Sequence, residues 1–179
     1  MDRLSDGIKV GPYRLGNDVR GELLKILTDD GWLMITEQGW LIAHWVCALF
    51  MVGLIWFVQV VHYPLMAHVG RDAFPLYSQL HQFWTTWVVA GPMLGEVLTL
   101  GMILYYRPER IASPAFGFAT LLLVVVWIST AAVQVPLHGK LLAGYDETTI
   151  QKLVLTNWVR TIAWSLRGVA LGFELFGRR

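Results

Sequence analysis

His62, His81 and His138 each stand beside a long apolar run, and imidazole is the side chain best suited to bind a transition metal or to move a proton near neutral pH. Rings brought to one depth by separate helices would form a ligand set for Zn, Cu or non-haem Fe. Gln134, Asn157 and Arg160 fall at the same expected level and would hold the polar group of a substrate. The competing reading is solvation at a water interface, or hydrogen bonding to a helix end.

A second set lies deeper: Glu96, Glu174 and His44, with Arg167 between the two levels. Glu96 and Arg167 are the catalytic candidates, with Glu96 as an intramembrane proton acceptor. The alternative for Glu96 and Arg167 is a hydrogen-bonded pair that fixes helix register. With His81 and Arg160 taken as level, a rise of ~1.5 Å per residue puts Glu96 roughly 22 Å and Arg167 roughly 10 Å below them. Direct contact would then be strained. The same count brings Glu96, His44 and Glu174 together, with Arg167 between the two levels.

The elements that would position these groups are membrane helices. The chain has 179 residues, of which 55% are hydrophobic, and its formal net charge is +1. Its mean hydropathy of +0.51 exceeds what a soluble core requires. The basic residues are scattered, so the electrostatic footprint of a nucleic-acid binder is missing. Four segments, 40–61, 84–106, 114–135 and 158–176, have the ~20 residues needed to cross a bilayer core. The last carries Arg160, Arg167 and Glu174, which share one helical face and would turn it inward. Trp32, Trp40, Trp84, Tyr105, Tyr106 and Trp158 fall near the span ends, where amphipathic rings settle. Cys47, the single cysteine, lies in an apolar run and has no intrachain partner.

The fold class that follows is an all-α, integral membrane four-helix up-down bundle of two tandem helical hairpins. Residues 39–179 form this transmembrane domain, and residues 1–38 form a cytoplasmic arm. Within the arm, Val19, Leu23, Ile26 and Leu27 recur at helical spacing behind Asn17 and predict a short amphipathic helix. Lys and Arg concentrate in the arm, at Arg107 and Arg110, and at Arg178 and Arg179. The other two loops carry only Arg71, Lys140 and Lys152, so both termini are expected in the cytoplasm of a bacterial inner membrane.

The stretch VQVVHYPL at 58–65 is echoed by VQVPLHGK at 133–140, and GRD at 70–72 by GYD at 144–146. Each proline is expected to stop its helix and leave a histidine at the boundary. Pro92 would bend the second span. The small-residue patterns GPMLG at 91–95 and GVALG at 168–172 would bring the second and fourth spans together.

The run HYPL…VGRDAF…H, GPxxxE at 91–96, QVPLHGKLLAGYD and NWVRTIAWSLRG resemble a group of bacterial four-helix membrane proteins over residues 40–176. That group is similar, more distantly, to the anthrone-oxygenase-like membrane family. The resemblance implies a polar pocket and oxygen chemistry on apolar aromatic substrates, although that family places an Asn in the turn where this chain has His138. The first span, WLIAHWVCALFMVGLIWF, resembles that of haem-associated four-helix families, including copper-resistance D-like proteins and the membrane protoporphyrinogen oxidase. His44 takes the matching position, so the resemblance implies that it is the candidate axial ligand of a haem. The function expected from all of this is a metal-dependent membrane oxidoreductase acting on an apolar small molecule. The alternatives are a haem-binding electron-transfer protein, or a non-catalytic subunit of an oligomer or larger membrane complex.

Overall fold

A computed structural model of the chain describes residues 31–177. The amphipathic helix expected at 17–27 and the basic tail residues Arg178 and Arg179 lie outside the described residues. Every regular element described is helical: α1 Gly31–Phe57, α2 Tyr63–Met66, α3 Phe74–Tyr106, α4 Pro114–Ser129, α5 Val135–Leu141 and α6 Glu147–Phe176. A short 3₁₀ turn, Pro108–Ala112, joins α3 to α4.

Three helical runs, Gln38–Met66, Phe74–Tyr106 and Pro114–Leu141, are long and apolar enough to cross a membrane. The fourth long helix, α6, does not reach that apolarity, because its inner face is polar. Asn157, Arg160, Thr161, Trp164, Arg167 and Glu174 recur at helical spacing along it and are all buried. The opposite faces carry large exposed apolar side chains, among them Trp87, Leu98, Leu155 and Phe173. This is an inside-out distribution relative to a water-soluble helical protein, and a bilayer would solvate it.

The helices are longer than the sequence pattern indicates, and the prolines are the reason. Each expected stop is preceded by a π-helical turn, Val58–His62 ahead of Pro64 and Thr130–Gln134 ahead of Pro136. At the exit of each turn the backbone N–H reaches five residues back, from Tyr63 to Val58 and from Val135 to Thr130. The widened turn shifts the hydrogen-bond register so that each proline ring falls in the first turn of the next α segment. There its missing N–H costs nothing. Helical structure therefore continues to Met66 and to Leu141.

The helices α3 and α6 likewise begin early, at Phe74 and Glu147, which leaves Trp84 and Trp158 well inside helices rather than at their ends. α3 runs unbroken through Pro92. The two GxD turns differ. Asp146 caps α6, accepting from the Thr148 N–H, and Gly144 before it sits at φ 141°, which only glycine adopts without strain. At the other copy, the residue at the α3 cap is Ala73, which has no side chain to bond.

Buried apolar side chains gather in two clusters. One holds Met51, Ile55, Phe74, Val126, Leu153 and Trp164. The other holds Leu41, Ala48, Ile103, Phe116, Ala119 and Leu171. The small-residue patterns serve α1 rather than each other. A Cβ on Gly95 would lie 3.0 Å from Cys47 Sγ, and one on Gly168 would lie 3.3 Å from Val52 Cγ2. The Trp45 indole N–H donates to the Gly168 carbonyl over 3.0 Å. The expected contact of the second and fourth spans through these glycines is thus replaced by contact of each with the first.

Candidate functional site

The three histidines expected at one level do come together. The His62 and His81 ring centroids are 4.5 Å apart, and those of His81 and His138 are 5.2 Å apart. The π turn presents His62, α3 presents His81, and α5 presents His138. Their nitrogens face each other and their neighbours rather than a common point. His62 Nε2 is 2.8 Å from His81 Nδ1, and Thr85 Oγ1 approaches the same His81 nitrogen at 3.1 Å. His138 Nε2 is 2.9 Å from the Tyr63 hydroxyl.

Among the described residues, no group of three or more His, Cys, Asp or Glu side chains is arranged to hold a metal ion. The ligand role expected of His62, His81 and His138 is therefore unsupported by this geometry, although their convergence is present. The physical reason is that two of the rings use nitrogens on each other. Of the two nitrogens in that bond one carries the proton and the other accepts it, so neither has a lone pair left for a cation.

Beside this trio stands Arg160, buried on α6. Its Nε and Nη2 both donate to Asn157 Oδ1, at 2.9 and 2.5 Å, while Nη2 also reaches the Tyr63 hydroxyl at 3.3 Å and Nη1 reaches Thr130 Oγ1 at 3.4 Å. A guanidinium only donates, so the Tyr63 oxygen accepts from it and the Tyr63 O–H is left to donate to His138 Nε2. His138 then carries its own proton on Nδ1, which is buried without a hydrogen-bond partner. Asn157 is held in turn, its amide donating to Gln59 Oε1 over 2.8 Å. The Gln59 amide donates to the Val154 carbonyl over 3.1 Å.

A cavity of about 240 Å³ opens on this network. Met51, Leu54, Ile55, Val58, Val89 and Trp164 supply its apolar wall, while Tyr63, His81, Gln134, His138 and Arg160 supply its polar end. Of the expected substrate-binding residues, Gln134 and Arg160 line the cavity. Asn157 does not, and instead fixes the guanidinium. Gln134 donates to Thr156 Oγ1 over 3.0 Å, and its carbonyl oxygen is buried without a partner. No hydrogen bond from a described residue reaches His81 Nε2.

Glu96 and His44 meet Arg167 in a separate, closed network. Arg167 Nη1 donates to Glu96 Oε1 as an ion pair in which both side chains are fully buried. Arg167 Nη2 meets His44 Nε2 at 2.7 Å, and Nε donates to the Ala119 carbonyl at 3.1 Å. The Trp164 indole donates to the other Glu96 oxygen over 3.3 Å. Because Arg167 must be the donor, His44 Nε2 accepts, and the protonated Nδ1 donates to Thr99 Oγ1 over 2.7 Å. The Thr99 hydroxyl donates in turn to the Gly95 carbonyl over 2.6 Å.

Both nitrogens of His44 are thus engaged, which leaves none for a haem iron. The axial-ligand role does not fit this site. Glu96 and Arg167, the expected catalytic pair, do not line the cavity and bind each other instead. Glu174, expected beside Glu96 and His44, accepts instead from Arg110 Nη1 and Ser113 Oγ, each over 2.7 Å.

The contact of Glu96 with Arg167 corrects the depth count. His81 and Arg160 are not level, because α3 and α6 start at different distances before them. Counting ~1.5 Å per residue from Phe74 and from Glu147 puts both Glu96 and Arg167 roughly 30 Å in. Tyr63 and Gln59 are site residues that sequence reasoning passed over. Their one signal is position: Tyr63 adjoins His62, and Gln59 sits in the repeated Val-Gln-Val. Comparison with protein-family models, curated proteins and solved structures finds no match to this chain.

Proposed function

We propose that the protein is a multi-pass protein of a bacterial inner membrane, and that its four long helices form an up-down bundle around a pocket for a small apolar molecule. The observation that carries this reading is the cavity of about 240 Å³, apolar along its wall and polar at one end. Concave, largely apolar sites with a few convergent polar groups are where small molecules bind. The three apolar runs and the exposed apolar side chains support the bilayer setting. The Lys and Arg bias supports cytoplasmic termini.

Within this reading His81 is the group placed for proton exchange with a bound molecule. It lines the cavity, and His62 backs its other nitrogen. The likeness to the anthrone-oxygenase-like family accords with an apolar substrate; oxygen chemistry would need a donor arrangement other than the one His62, His81 and His138 adopt.

Native mass spectrometry of the detergent-purified protein tests the pocket. Wild-type protein is expected to release a small apolar molecule that Val89→Trp, which fills the cavity, does not retain. Equal retention by the filled variant would place the molecule elsewhere and end this reading.

A further inference from the structure

We propose that the cavity takes the oxyanion of a small amphipathic acid, a carboxylate on a short apolar body, with Arg160 as its counter-charge. The inference deepens the pocket reading above and rests on it. Its ground is a mismatch among the arginines that point inward. Arg167 faces the carboxylate of Glu96, and the part-buried Arg110 faces that of Glu174. Arg160, only 7% exposed, faces none. Its acceptors are the amide oxygen of Asn157 and the hydroxyls of Tyr63 and Thr130, all neutral groups.

No Asp or Glu lines the cavity. The other titratable side chains at this end, His62, His81, His138, Tyr63 and Tyr77, bring no carboxylate either. A buried cation without an anion is costly in an apolar surround, so a chain that keeps one beside a cavity gains by admitting its counter-ion there. A guanidinium with planar donors also matches a carboxylate better than it matches a hydroxyl.

The size of the space limits the rest of the molecule. An engineered apolar pocket of about 150 Å³ is filled by benzene. A cavity of about 240 Å³ therefore has room for one ring or a short alkyl chain together with a carboxylate. An anionic lipid offers the same oxyanion chemistry at its headgroup, so the source of the anion is part of the test.

The test uses the full chain in phosphatidylcholine nanodiscs, titrated calorimetrically with sodium octanoate, sodium benzoate, octanol and benzyl alcohol. The acids are expected to bind at least about tenfold more tightly than the matching alcohols. Arg160→Gln should abolish that preference, while Arg160→Lys, which keeps the charge, should retain part of it. If phosphatidylglycerol in the nanodisc competes octanoate away, the oxyanion site stands and a lipid headgroup is its occupant. If alcohols bind as tightly as acids, the acid inference falls while the pocket reading stands. If neither acids nor alcohols bind, both fall. The comparison within wild-type protein decides the question even where Arg160→Gln fails to fold.

Discussion

His62 Nε2 and His81 Nδ1 lie 2.8 Å apart, so imidazoles from a π turn and from α3 share one proton at the edge of the cavity. Whichever ring donates, the bond ties the protonation of His81 to that of His62, because a neutral imidazole offers one donor and one acceptor. A ¹⁵N–¹⁵N coupling across this hydrogen bond is expected in histidine-labelled protein, and it should vanish in His62→Phe. Loss of the bond should cost about 1 kcal/mol of stability. A wild-type spectrum without the coupling would show that the rings are not paired.

Arg167→Met should lower stability by about 3–5 kcal/mol, because it leaves the Glu96 carboxylate buried and unpaired. Glu96→Leu should cost a similar amount by stranding the guanidinium. Combined, the two substitutions remove both charges, and the double variant should be more stable than either single one. Unfolding in detergent measures all three. Strictly additive losses would mean that the pair is uncoupled, contrary to the contact seen between them.

The inward stripe of α6 is legible in the sequence because a helix has one period. Arg160, Arg167 and Glu174 announce a shared face before any partner is known. The convergence of His62, His81 and His138 is legible too, since each closes or opens an apolar run. What each of them meets is not. Whether Arg167 reaches Glu96 depends on where α3 and α6 begin, and those starts are set by turns whose residues lack the apolar signal of a span. Pro64 and Pro136 read as stops because a proline disrupts an α-helix, yet a π turn before each one absorbs the disruption. Tyr63 and Gln59 become site residues only through contacts almost a hundred positions away in the chain, and no local pattern encodes those.

Gly95 packs so closely on α1 that an added Cβ would stand 3.0 Å from Cys47 Sγ. Alanine at this position gains about 1 kcal/mol of helix propensity over glycine but has to displace the sulfur. In a Cys47→Ala background the obstacle is gone, so Gly95→Ala should stabilise that background more than it stabilises the wild-type chain. Thermal unfolding of the four proteins gives the comparison. Equal effects in both backgrounds would argue that α1 and α3 do not approach at Gly95.

Asp146 caps α6, accepting from the Thr148 N–H over 3.1 Å and from the Thr149 hydroxyl. The Thr149 hydroxyl, more than the backbone N–H groups of Thr148 and Thr149, holds this exposed carboxyl below its ordinary range. A carboxyl whose folded-state pKa is depressed adds stability that is fully present above its unfolded value, ~3.9, and is lost as pH falls through the folded value. Asp146→Ala should therefore lower the unfolding temperature at neutral pH, and the gap to wild type should narrow as the solution is acidified below pH ~4. Thr149→Val should reproduce part of the loss, since it removes the larger contributor while leaving the backbone donors. A gap that stays constant from neutral to acid pH would show that Asp146 acts through its backbone conformation alone and not through its charge.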